Sequence, residues 1–300
     1  MSPVLGPVGT PNEVVDWGCD THVHVIGDNM QYPMVVDRHY TPGPASTTDL
    51  QEHLANQALG RVVIVQPSVY GTDNQCLLDT LSALGPNAKG IAVLDENITD
   101  LALQKMDAQG IRGVRLNFES SANRQVHHLQ AALNHWSSRI ACLGWHIQVY
   151  APFEMIAACA DTIRTLPTPV VLDHFALWPV AKSETSAERS ILQLLTEGHV
   201  YIKLSASYRL PAFTATDLQQ IVYRLLQAQP ERLLWGSDWP HTNREPGVHR
   251  HAISRYRAIS SNQLLDERSQ WLNTPELQHQ VLVVNPATLY RFEPSPLDHG

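Results

Sequence analysis

Two short motifs carry side chains able to move protons or hold a metal ion. Asp20-Thr21-His22-Val23-His24 lies near the start of the chain, and Leu233-Leu234-Trp235-Gly236-Ser237-Asp238-Trp239-Pro240-His241 lies far along it. Histidines at i and i+2 of a strand share a face, so the two imidazoles converge on one point. An aspartate ending a late strand reaches that point only if the chain returns on itself, as a closed barrel of parallel strands does.

The elements that must position these groups follow from apolar patterning. Short runs rich in Val, Ile and Leu, over 15–19, 61–66, 90–94, 113–118, 146–150, 170–173, 200–204 and 233–236, read as buried parallel strands. Between them, 47–59, 74–84, 99–109, 125–142, 153–165, 188–197 and 217–229 repeat apolar residues at i, i+3 and i+4 and read as helices. Capping side chains at Ser46 and Thr99, and glycines at Gly60, Gly110, Gly144 and Gly198, mark helix starts and stops. Eight β-α units without a parting linker predict an α/β fold, a single (β/α)8 TIM barrel. One domain is expected over 1–300, with its barrel core over about 14–292 and flexible termini. A long loop over 25–44 follows the first strand and reads either as a partial lid over the barrel mouth or as a structural surface loop. Extra C-terminal helices, including 274–284, follow the last strand.

Composition narrows the function. A net charge of −8 without a basic cluster argues against nucleic acid or an anionic membrane as partner. No apolar window approaches the length of a membrane span and no signal-peptide pattern opens the chain, so a cytoplasmic protein is expected. The 4 cysteines have no C-x-x-C spacing and read as reduced thiols. No G-x-G-x-x-G or G-x-x-x-x-G-K-[ST] run is present to suggest a nucleotide.

Reacting groups of a TIM barrel gather at the C-terminal ends of the strands. Those ends supply His22 and His24, Gln66 and Ser68, Arg115 and Asn117, Gln148 and Tyr150, His174, Ser205 and Ser207, and Asp238 and His241. The catalytic candidates are Asp238, His22, His24 and His174. The candidates for binding substrate are Arg115, Asn117, Tyr150, Ser68, Gln66, Arg209 and His241. For each the bland alternative is a satisfied hydrogen bond or an outer ion pair, and for Asp20 it is a supporting role.

At these residues the chain resembles the amidohydrolase superfamily, whose signature is H-x-H after the first strand and Asp after the eighth. More narrowly it is similar to the branch of 2-pyrone-4,6-dicarboxylate lactonase, with relatives acting on galactarolactone and sulfomuconolactone. Cys19-Asp-Thr-His-Val-His24, Tyr70-Gly-Thr-Asp-Asn74, Gly110-Ile-Arg-Gly-Val-Arg-Leu-Asn-Phe118, Gly144-Trp-His146, Val171-Leu-Asp-His174, Leu234-Trp-Gly-Ser-Asp-Trp-Pro-His241 and Val284-Asn-Pro286 carry the likeness. It departs from two-metal members, which have a bridging Lys or Glu after the fourth strand and a histidine after the fifth. Here those places hold Asn117-Phe118 and 148–150. The resemblance implies catalysis with no metal required, or with one zinc or manganese ion on His22, His24 and Asp238. Glu119-Ser120-Ser121 stands where the dicarboxylate lactonase has a basic residue, which counts against that substrate unless Arg124 replaces it.

The reaction the resemblance implies is hydrolysis of a small carboxylated or sulfonated lactone in aromatic or sugar-acid catabolism. Asp238 takes the proton of the attacking water, while His22, His24 and His174 polarise the ring carbonyl. Arg115, Tyr150, Ser68, Arg209 and His241 hold the anionic substituent. The alternatives are a sugar-acid lactone isomerase, a metal-dependent decarboxylase or hydrolase of the same superfamily, and a non-catalytic binding protein. A monomer or a homodimer fits the sequence equally.

Overall fold

The computed structural model describes residues 17–119, 125–179, 184–210 and 212–293. Eight parallel strands run in chain order around a barrel: β1 Cys19–Val23, β2 Arg61–Val65, β3 Ala88–Ala92, β4 Ile111–Asn117, β5 His146–Tyr150, β6 Val170–Leu172, β7 Val200–Ser205 and β8 Leu233–Gly236. The first and last strands close the ring. His24 N donates to Trp239 O at 2.8 Å and Asp238 N donates to His22 O at 2.9 Å. The fold is the (β/α)8 TIM barrel expected from the alternating units.

Helices α1 Thr47–Asn56, α2 Gln75–Leu84, α3 Asp100–Ala108, α4 Val126–Ile140, α5 Phe153–Ala158, α6 Ala160–Thr165, α7 Ser186–Thr196 and α8 Ala215–Ala228 surround the sheet. Ser46 and Asp49 form a reciprocal capping box at α1, and Thr99 caps α3 by accepting from Ala102 N. Each cap satisfies a donor that the first helical turn leaves open. Gly110, at φ +99°, ends the α3 unit in a conformation that costs a side chain dearly.

The apolar residues divide into two bodies. One fills the shell between sheet and helices. The other lies inside the barrel, where Cys19, Val63, Ile91, Val171, Tyr201 and Leu234 pack with Leu289, Tyr290 and Phe292 from the C-terminal segment. Cys19 begins β1, so this cluster plugs the N-terminal end of the barrel. The opposite end is left for polar side chains.

Several boundaries differ from the sequence expectation. The first strand is Cys19–Val23 rather than 15–19, because it buries the polar residues Asp20, Thr21 and His22 and so gives no apolar signal. The third strand is Ala88–Ala92 rather than 90–94. The helix over 153–165 breaks at Cys159 into α5 and α6. Beyond β8, α9 Ser261–Trp271 and α10 Pro275–His279 are followed by a π turn, Gln280–Val284, and α11 Asn285–Tyr290. Most of both expected flexible termini, and Arg124, lie outside the described residues.

Candidate active site

Asp238 follows β8 and is fully buried, in a left-handed conformation at φ 59°. Such backbone is costly for a non-glycine residue and persists where the surroundings enforce it. Its two carboxylate oxygens have different company. Oδ2 accepts from Arg209 Nε at 2.8 Å and Nη2 at 2.6 Å, and from the Tyr208 hydroxyl at 2.7 Å. Oδ1 faces three imidazoles, with Nε2 of His24 at 3.5 Å, of His22 at 3.7 Å and of His174 at 3.9 Å. These separations exceed a good hydrogen bond, and neither Asp238 Oδ1 nor His22 Nε2 has a hydrogen-bond partner.

The far nitrogens of the rings are held. His24 Nδ1 lies 2.7 Å from Val65 O. A carbonyl oxygen only accepts, so Nδ1 of His24 carries a proton and Nε2 is the nitrogen turned toward Asp238. His174 Nδ1 pairs with Ser205 Oγ at 2.9 Å, a hydroxyl that can donate or accept. His22 Nδ1 lies 3.2 Å from Asp173 Oδ1.

Beneath His22 sits a fully buried lysine. Lys203 Nζ donates to Thr21 O and to Gln148 Oε1, each at 2.8 Å, and lies 3.4 Å from His22 Nδ1 and 3.7 Å from Asp173 Oδ1. Gln148 Nε2 donates to Asp173 Oδ2 at 3.1 Å, and Arg115 Nε stands 3.8 Å from the same oxygen. Asp20 steadies the ring junction by accepting from His22 N and Ser237 N, with His53 Nε2 at 3.2 Å.

Burial and partners set the charges. Burial would raise the Asp238 carboxyl, but Arg209 above all reverses this and holds it well below the usual carboxylate range. Asp173 is likewise held low, by His22 and Lys203 against burial. Burial pulls His22 down to about 3 and Lys203 down to about 8, in both cases against the pull of Asp173. The resting site therefore has ionised carboxylates, neutral His22 and charged Lys203 near neutral pH.

Above this cluster opens a cavity of about 210 Å3 lined by His24, Ser68, Arg115, Asn117, Tyr150, His174 and Arg209 among others. Seven of the expected site residues thus share one wall, and Asp238 and His22 are buried against two of them, His24 and His174. Two others do not reach it. Gln66 turns its amide to Asp73 O at 2.6 Å, bracing the turn after β2. His241 faces a separate cavity of about 410 Å3 shared with His53 and Trp239. Glu119 lines the cavity, at the place where the similar lactonase has a basic residue, while sequence reasoning missed His39, Tyr40 and Arg244 on the cavity wall, and Asp173, Lys203 and Tyr208 below it. His39 and Tyr40 belong to the loop expected over 25–44, so that loop does reach the mouth. Asp173 was within reach, since it precedes His174 in one motif.

Two groups, His22 with His24 and Asp238, and His22 with Asp173 and His174, have ligand atoms within 4.8 Å of one another and could hold a metal ion. No described helix is long and apolar enough to cross a membrane.

The chain is similar to known proteins over most of its length. The amidohydrolase family pattern matches residues 19–292. A 2-pyrone-4,6-dicarboxylate hydrolase of Comamonas testosteroni is 32% identical over 284 residues, covering 90% of this chain and 89% of its own. A 4-sulfomuconolactone hydrolase of Rhizobium radiobacter is 28% identical over 276 residues, covering 90% and 89%. Among solved structures, a probable 2-pyrone-4,6-dicarboxylic acid hydrolase of Acinetobacter baumannii with citric acid bound superposes with a TM-score of 0.76 at 28% identity. That match covers 92% of this chain and 99% of that one.

Proposed function

Since the chain belongs to the amidohydrolase family, we propose that it hydrolyses a small anionic lactone by water attack on the ring carbonyl. The observation that carries this reading is Asp238 Oδ1 facing three imidazole Nε2 atoms at 3.5 to 3.9 Å, two of them on His24 and His174, which line a cavity walled by arginines. Its similarity to two lactone hydrolases over most of its length supports the same reaction, and catabolism of carboxylated or sulfonated ring compounds in the cytoplasm suits it.

Asp238 Oδ1 and Nε2 of His24, 3.5 Å apart, serve as two acceptors aimed at one place. A water there donates a hydrogen bond to each, which leaves its lone pairs turned toward the cavity. As the new C–O bond forms, Asp238 takes a proton, and Arg209 and Tyr208 hold its other oxygen still. Ser205 donating to His174 Nδ1 leaves Nε2–H of His174 to steady the carbonyl oxygen. Asp238 then returns its proton to the ring oxygen as the acyl C–O bond breaks. The carbonyl-polarising role expected of three imidazoles is thus given to His174, since His22 does not line the cavity and His24, with a proton on Nδ1, is assigned to the water. Arg115, whose buried Nε has no hydrogen-bond partner, and Tyr150 beside it take the anionic substituent.

The reaction is read as needing no metal. The donor spacing suits an ion, but the charges do not. Lys203, Arg209 and Arg115 already balance Asp173 and Asp238. Fixed cations so close to the same carboxylates oppose the entry of a divalent ion. The competing assignment, one zinc or manganese ion on His22, His24 and Asp238, has to overcome that repulsion.

A pH-indicator screen of carboxylated and sulfonated lactones, run on protein of measured metal content, tests the proposal. Turnover of at least one is expected. A well-folded protein that opens none contradicts it.

A further inference from the structure

Buried lysines are rare because removing an ammonium from water is costly unless something fixed repays it. Lys203 lies on β7, where its backbone is paired with Leu234 of β8, so its ammonium is placed by the barrel itself rather than by a loop. Two of its three donors are spent on Thr21 O and Gln148 Oε1, and the third points into the space between His22 Nδ1 and Asp173 Oδ1. Those two residues are also two of the three members of the His22, Asp173 and His174 group. Lys203 is fully buried and is not among the residues that line the cavity.

We propose that Lys203 is a built-in counter-cation: its ammonium supplies the positive charge that the His22, Asp173 and His174 group would otherwise draw from a divalent ion. In doing so it fills the space between Asp173 and His22 and fixes the ring of His22 against Asp238. Lys203 is on this view a positioning residue. The inference rests on the metal-free reading above, and not on the identity of the substrate.

The probe is Co2+, whose visible d–d absorption reports tetrahedral nitrogen and oxygen ligation. Metal-depleted wild-type protein, K203M, K203Q and the double variant K203M/D173N are titrated with Co2+, with circular dichroism confirming the fold of each. Wild type is expected to take up none. Folded K203M or K203Q is expected to bind about one ion per chain, and the double variant, which lacks a ligand, to lose that binding. In steady state K203M should lower kcat with little change in KM.

Folded K203M and K203Q that both reject Co2+ overturn the proposal while leaving metal-free catalysis standing. Loss of fold in both variants overturns it too, because Lys203 would then be structural. Tight stoichiometric uptake by wild type overturns the metal-free reading and this proposal together. A lactone screen that fails while the Co2+ pattern holds overturns only the substrate assignment.

Discussion

Nε2 of His24 stands 3.5 Å from Oδ1 of Asp238, while the opposite nitrogen of the same ring is tied to the Val65 carbonyl at 2.7 Å. The backbone of one strand thereby decides which face of an imidazole on another can accept a proton. Replacing His24 by Gln keeps a polar side chain but removes the oriented lone pair. It should lower kcat by about 100-fold or more with KM changed little. Steady-state kinetics on any turned-over lactone checks this, and an unchanged kcat would remove His24 from the water site.

Arg209 grips the other oxygen of Asp238 through Nε and Nη2. Burial works to raise that carboxyl, and Arg209 is the main group holding it low. In R209M the carboxyl rises, so the ionised form that accepts a proton is lost at a higher pH. The acid limb of the kcat/KM profile should move upward relative to wild type. An acid limb left in place would mean that Asp238 is not the group titrating in it.

Arg115 is nearly buried, lies over the Tyr150 ring at 5.8 Å from its centroid, and lines the cavity. Removing its charge in R115M should raise KM for a carboxylated lactone about 10- to 100-fold. An uncharged lactone of the same ring should be affected far less. Equal losses on both would assign Arg115 to the fold rather than to the anion.

Much of this site is legible in the sequence because strand geometry leaves little freedom. The i, i+2 spacing put His22 and His24 on one face, and the order of eight β-α units put Asp238 beside them. What could not be read has a physical cause. Both faces of a barrel strand are buried, so the pattern Val200-Tyr-Ile-Lys-Leu-Ser205 does not say which way Lys203 points. The apolar run before Cys19 drew the first strand too early, because β1 itself buries Asp20, Thr21 and His22. Gln66 and His241 sit at strand ends as expected, but the turns after β2 and β8 rotate them away from the cavity. His39, Tyr40 and Arg244 arrive on loops, whose paths no periodicity encodes.

His146 makes a test of stability separate from the chemistry. It is fully buried, neither ring nitrogen has a hydrogen-bond partner, and burial lowers it to about 3. The unfolded chain binds that proton near pH 6.5 and the folded protein does not. Stability from this neutral ring is therefore complete above about pH 6.5 and falls as pH drops toward about 3, by about 1.4 kcal/mol per unit. His22 and His241, lowered to about 3 and about 4, act with the same sign. Urea unfolding at about pH 7.5 and about pH 5 should show a loss for wild type that is about 2 kcal/mol smaller in H146L. An equal loss in both would mean that His146 is already charged in the fold.

The measurement that bears most directly on the whole account is kcat of metal-depleted wild type beside Asp238→Asn, on a carboxylated lactone in water enriched in 18O. Wild type should turn over without added metal and place the label in the product carboxylate, and D238N, still folded, should lose about 1000-fold or more in kcat. Activity that returns only with a divalent ion, product without label, or a D238N variant as active as wild type would contradict it.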